Sequence, residues 1–273
     1  MAGHEGSPTR GTTGTNRLRR VDRWIAHLPA FRRAHDPLVV DLGFGASGVT
    51  AFELATRLRS ANPTVRVLGL EIDPDRVAVA EDQLASARAG LTPFPSDLPV
   101  SFARGGFEVP VPRPATIIRA YNVLRQYDES DVRGAWRRMA AQLTPDGLLI
   151  EGTCDEIGRV SSWIDVSADA QPLRFSLSLS LAHVKRPSIV AERLPKALIH
   201  RNVDGERIHE LLTALDGAWD RSAGYATFGP IQRWLATVSA LRDAGWPVQG
   251  TKSRWRLGEL TLPWSAVEPR NES

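Results

Sequence analysis

Residues 38–48 read LVVDLGFGASG. An apolar run with no strict alternation is what a strand covered on both faces requires, and such strands belong to parallel sheets. The glycines that follow let the backbone turn sharply and approach another group closely, which a Cβ would block. The next residues, 48–60, place Val49, Phe52, Leu54, Ala55 and Leu58 at helical spacing. A strand, a glycine loop and a helix in direct succession commit the chain to an α/β architecture.

The same rhythm continues to residue 152. Residues 66–70 read as a second strand and 73–87 as a helix with acids in its first turn, where they complement the helix dipole. Residues 100–106 and 115–124 read as the third and fourth strands, and 128–143 as a helix with Trp136, Met139 and Leu143. TPDG at 144–147 reads as a turn, and LLIEG at 148–152 as a fifth strand. Strands alternating with helices predict a doubly wound, mostly parallel, Rossmann-like sheet.

Outside that core the pattern changes. Residues 1–16 are rich in Gly, Ser, Thr and Pro without periodicity and read as a disordered arm. Val21, Trp24, Ile25 and Leu28 form one helical face in a basic segment, 17–33, which Pro29 interrupts. Residues 34–153 form the expected core. Residues 154–273 would complete the sheet and add a largely helical elaboration. There, FSLSLSL at 175–181 alternates like a strand with one wet or differently packed face. Residues 204–219 and 229–245 carry helical stripes, and 254–264 reads as a final strand or hairpin.

Charge and cysteine usage bound the function. Residues 1–33 hold seven Arg against Glu5 and Asp22, a local charge of +5. The whole chain is +3, so the remainder is slightly acidic at −2. A body that grips nucleic acid usually presents a basic face, so this balance tilts toward a small-molecule partner. Cys154 is the only cysteine, which fits a reducing cytoplasm and leaves no cysteine cage for a metal. No apolar run approaches the length of a membrane span, and no metal is expected.

Gly43, Gly45 and Gly48 satisfy G-x-G-x-x-G, the dinucleotide pattern of nicotinamide and flavin enzymes. Asp41, Gly43 and Gly45 satisfy D-x-G-x-G, the S-adenosylmethionine (SAM) pattern. Asp41 favours the second. A carboxylate at the strand's carboxyl end organises the loop and attracts an ammonium or sulfonium, but repels a diphosphate. Glu71, ending the second strand in LGLEIDP, suits the ribose hydroxyls of either cofactor. The stretch from AYNVLRQY to LTPDGLLI, residues 120–150, resembles the later half of the class I SAM-dependent methyltransferase family. The resemblance covers about residues 37–152. It departs from the family at Ser47, where many members have a third Gly, and at Asp146, which replaces the first Gly of the late turn.

The resemblance implies SAM as cofactor, held by Asp41, Gly43, Phe44, Gly45, Glu71, Ile72, Gly106, Phe107 and Asn122, with the adenine near residues 102–107. It places Tyr121, Arg125 and Tyr127 toward the substrate, with Gln126 in the same cluster. Catalysis has candidates without a signature. Asp155 and Glu156, just past the fifth strand, could act as base or acceptor, or simply open a helix. His200 follows an apolar pair and is the best histidine candidate, although a structural role is the commoner one. His209 reads as exposed and Cys154 as a small buried residue. Five of the eight Trp fall in the last quarter and read as core anchors more readily than as a substrate wall. The expected function is a cytoplasmic SAM-dependent methyltransferase acting on a small-molecule acceptor, with oxygen as the acceptor atom. The alternatives are an RNA or protein methyltransferase gripping its polymer with residues 17–33, and a non-catalytic SAM-binding regulator.

Overall fold

The computed structural model describes residues 4–7 and 14–270. Most of the expected disordered arm, residues 1–3 and 8–13, lies outside them. Residues 4–7 and 14–16 are placed, and both make specific hydrogen bonds. The chain divides into two compact units. The first is Met1–Glu151 with Glu156–Gly158 and Val166–Gln171; the second is Gly152–Asp155, Arg159–Asp165 and Pro172–Ser273.

In the first unit the strands are β1 (Leu38–Leu42), β2 (Arg66–Glu71), β3 (Val100–Arg104), β4 (Ala115–Tyr121) and β5 (Leu143–Cys154, whose last three residues belong to the second unit). Their order is β3-β2-β1-β4-β5. β1 pairs in parallel with β2 and β4, and β2 with β3. The crossovers are α3 (Val49–Arg59), α4 (Pro74–Arg88) and α5 (Glu129–Ala140). Every residue of β1 and β4 is buried, as strands covered on both faces require. The doubly wound α/β sheet expected from the sequence is therefore present.

Local chemistry explains the elements. Asp73 caps α4 by accepting from the Asp75 N–H at 2.9 Å, with Pro74 at the first helical position. α5 opens with a capping box between Asp128 and Asp131. Phe102 packs edge-on against Phe44 and Phe52, with ring centroids 5.1 and 5.5 Å apart. Gly69 lies under that cluster, and a Cβ there would stand 2.5 Å from Phe102 Cδ1.

Pro29 splits the basic segment into α1 (Arg19–Ile25) and α2 (Pro29–Arg33), opening the second helix at its first position. The turn expected at 144–147 is instead the start of β5. Pro145 and Asp146 are exposed there, so the strand tolerates the missing Pro N–H.

The second unit carries β6 (Val160–Ser167, whose last two residues belong to the first unit), β7 (Pro172–Leu179) and β8 (Glu259–Pro263) after the end of β5, with β7 and β8 antiparallel. The β6 sequence does not alternate because six consecutive residues are buried, which hides it from a periodicity reading. The serine face of β7 is dry. Ser176 and Ser178 are fully buried, and Ser176 Oγ bonds Thr261 Oγ1 at 2.8 Å. The helical elaboration comprises α6 (Lys196–Ile199), α7 (Arg207–Arg221), α8 (Pro230–Asp243) and α9 (Lys252–Trp255). α9 takes the first residues of the stretch expected as a hairpin. Trp219, Trp234, Trp255 and Trp264 are buried anchors. No helix among the described residues is long and apolar enough to cross a membrane.

Candidate cofactor-binding site

The strand order reverses between β1 and β4, and the site lies at the carboxyl ends of β1 to β4, where open α/β sheets place their ligands. Gly43 and Gly45 take φ of +70° and +86°, a left-handed backbone that other residues adopt only under strain. That curl brings the Gly45 N–H to Glu71 Oε2 at 3.0 Å, while Glu71 Oε1 accepts from the Ile72 N–H at 2.9 Å. Glu71 is 1% exposed. A buried carboxylate held by two backbone donors keeps lone pairs in a fixed direction, as recognition of vicinal hydroxyls demands.

Four strand ends converge on one cavity. It is lined by Leu42 and Gly43 at the end of β1, Glu71 and Ile72 at the end of β2, Gly105, Gly106 and Phe107 after β3, and Val123 and Tyr127 after β4. Residues Glu5, Gly6 and Ser7 complete its wall. The Phe107 and Tyr127 rings pack with centroids 5.1 Å apart. Beyond Phe107 the backbone is strained: Val109 has φ of +42° and closes a turn by donating to the Gly106 carbonyl at 3.0 Å. Asn122, at the exit of β4, has φ of +59°. Non-glycine residues in this conformation cluster at ligand sites, and Asn tolerates it best.

Asp41 is placed differently from its neighbours. It is 2% exposed and does not line the cavity. Its Oδ2 accepts from Thr50 Oγ1 at 2.8 Å and meets Arg119 Nη2 at 2.7 Å, while its Oδ1 accepts from Arg119 Nε at 3.0 Å. Arg119 also bonds Asp22 of α1, and Asp22 pairs with Arg57 Nη1 at 2.5 Å. Burial works against the Arg119 charge, but Asp41 and Asp22 outweigh it and push its pKa further up. The aspartate thus organises the β1 loop against α3 and has a resident cation of its own. Sequence reasoning missed Arg119, although an arginine inside the apolar strand ATIIRAY is itself a signal of a buried partner.

The other sequence-derived candidates separate. Gly43, Glu71, Ile72, Gly106, Phe107 and Tyr127 come together around the cavity, and Gly45 joins them through Glu71. Phe44 is in the core against Phe102, and Tyr121 is buried on β4. Arg125 is half-buried and Gln126 donates to the Ser7 carbonyl at 3.0 Å. Asp155 opens no helix. Its Oδ1 accepts from the Arg159 N–H at 2.6 Å and the Val160 N–H at 3.3 Å, closing the turn into β6. Glu156 is exposed in that turn. His200 is also exposed, at the C-cap of α6, because the apolar pair before it ends a helix of only four residues. Leu42, Gly105 and Val123 are cavity residues without a distinctive sequence signal.

No family model matches the sequence, and no curated protein matches it. Among solved structures, the chain is similar to mitomycin 7-O-methyltransferase MmcR, at 25% identity over 50% of this chain and 36% of that one, with a TM-score of 0.37. It is similar to the glycopeptide N-methyltransferase MtfA, at 17% identity over 48% of this chain and 52% of that one, with a TM-score of 0.37. It is also similar to human N-acetylserotonin methyltransferase, solved in complex with SAM, at 21% identity over 52% of this chain and 36% of that one, with a TM-score of 0.36. The matched part spans between about a third and about half of the length of those proteins.

Proposed function

We propose that this chain is a class I SAM-dependent methyltransferase acting on a small-molecule acceptor, with oxygen as the acceptor atom. The observation that carries the reading is the Glu71 carboxylate, which shares one cavity with the Gly43 loop, Ile72 and Phe107 at the point where the strand order reverses. These residues fit SAM. Glu71 would accept from the ribose hydroxyls, Ile72 and Phe107 would flank the adenine, and the Gly43–Gly45 loop would face the methionine part. The sulfonium of SAM supplies an already activated methyl group.

The chain's own task is therefore mainly to position the acceptor and exclude water. An oxygen nucleophile of ordinary pKa also needs its proton removed. Asp155 is engaged in its turn and His200 is exposed, so neither is favoured as the base. Tyr127 and Asn122, past the end of β4, are the better-placed polar groups for orienting an acceptor.

The polymer-binding alternative needs a free basic segment. Arg20 Nε instead donates to the Gly158 carbonyl at 2.8 Å, and Arg19 Nη1 to the Ile157 carbonyl at 3.0 Å. Asp22, in the same helix, is the buried partner of Arg57 and Arg119. Those uses disfavour residues 17–33 as a phosphate grip.

The deciding measurement is thermal unfolding with SAM, S-adenosylhomocysteine, NAD or NADP. A ligand that binds only the folded state raises Tm. A rise with the two adenosyl sulfur compounds alone supports the reading, and a rise with a nicotinamide dinucleotide alone overturns it. Turnover against a pool of small acceptors then separates an enzyme from a regulator.

A further inference from the structure

The described residues nearest the amino terminus run along the same cavity, and His4, Glu5 and Ser7 are each fastened to the wall or to residues beside it. His4 Nδ1 lies 2.7 Å from Glu108 Oε1, and the Glu5 N–H donates to Glu108 Oε2 at 2.9 Å. Glu5 Oε2 pairs with Arg138 Nη1 at 2.7 Å. The Phe107 N–H donates to the Glu5 carbonyl at 2.9 Å. The Ser7 N–H donates to Tyr127 Oη at 2.5 Å, and Gln126 Nε2 donates to the Ser7 carbonyl at 3.0 Å. Six polar contacts on His4, Glu5 and Ser7 far exceed what an untethered tail makes.

The location carries the inference. Gly6 spans the gap between Ile72 and Phe107: a Cβ on it would lie 3.8 Å from Ile72 Cδ1 and 3.9 Å from Phe107 Cδ2. The Glu5 carbonyl lies directly against the segment that follows β3, since a Cβ on Gly106 would be 2.0 Å from that oxygen. With the segment seated, the cavity retains about 20 Å³. That holds about one water molecule, whereas a nucleoside-sized ligand takes roughly 300 Å³ or more.

We infer that residues 4–7 are an internal plug of the nucleoside end of this site, with the Glu5 carbonyl taking the Phe107 N–H that an adenine ring nitrogen would otherwise accept. The inference rests on the SAM reading above. The plug and the cofactor exclude each other, so the cofactor's apparent affinity is its intrinsic affinity reduced by the fraction of molecules with the segment released. All four plug residues are solvent-exposed, and five of the six contacts that hold them are exposed ones with a side chain on at least one side. Such a contact opens without disturbing the core.

Two full-chain variants test this by changing only the segment, leaving the strand-end residues of the cavity as they are. Gly6 has φ of +130°, which a β-branched side chain does not adopt, so Gly6→Val ejects the segment. Ser7→Pro removes the N–H that Tyr127 accepts. The readouts are hydrogen exchange at the Phe107 amide without ligand, and calorimetric titration with SAM. Loss of Phe107 protection together with an at least tenfold lower SAM Kd in both variants is the expected result. An unchanged Kd overturns the plug and leaves the SAM site standing. A raised Kd also overturns it, because the segment would then be closing over the cofactor. Loss of protection with no SAM binding by wild type or either variant refutes the SAM reading and the plug with it.

Discussion

Asp41 on β1 and Arg119 on β4 are register partners across the parallel strand pair, and their side chains close the same pair through an ion pair of 2.7 Å. Both are essentially sealed from water. The Asp41 charge is therefore already balanced by a strand neighbour, and Asp22 adds a second carboxylate to the same guanidinium.

Breaking that pair is expected to be costly. Asp41→Ala leaves the Arg119 cation buried with only Asp22 against it, and should lower unfolding stability in urea by about 3–5 kcal/mol. A double-mutant cycle with Arg119→Met should return a coupling of at least about 1 kcal/mol. Additive losses would mean that the two side chains act independently.

Glu71 is the cleaner probe of binding. Glu71→Gln keeps the size of the side chain but replaces one acceptor oxygen with a donor facing the Gly45 or Ile72 N–H. SAM affinity measured by calorimetry should weaken at least tenfold, about 1.4 kcal/mol. Unchanged affinity would remove Glu71 from the site.

Glu151, fully buried on β5, gives stability a pH signature. Burial lifts its pKa to about 8, with the Trp136 indole pulling the other way. A carboxyl whose pKa is higher folded than unfolded favours the folded state fully only below its unfolded value, near 4.5. That contribution falls as pH rises toward 8. Glu151→Gln does not titrate, so its Tm should gain on wild type between pH 5 and 8 and hold a constant lead above that. A lead independent of pH across this window would contradict the assignment.

Gly69 tests the packing under the site. Gly69→Ala puts a methyl 2.5 Å from a ring atom of Phe102, which is itself wedged against Phe44 and Phe52. Overpacking of this kind should cost about 1–3 kcal/mol in chemical denaturation. A neutral result would show that Phe102 has room to turn.

Where the sequence misled, the cause was local resemblance between different structures. The pair Asp155–Glu156 looks like a helix entrance, but acids also close tight turns, and Asp155 does so before β6. The FSLSLSL alternation suggests a wet face, but Ser176 finds Thr261 across the β7–β8 pair and needs no solvent. β6 gave no periodicity because residues on both of its faces are buried.

The sequence by itself determined the parallel α/β core and the seat of the loop. The apolar β1 run, the helical stripes and the glycines at positions 43 and 45 are local physics, set by periodicity and by backbone angles that only glycine adopts freely. Tertiary structure alone decided the partner of Asp41, which lies 78 residues away. It alone decided that Glu5 meets Phe107 and Ser7 meets Tyr127. Contacts between segments so far apart leave no periodic trace in the chain, because their geometry exists only once the strands have paired.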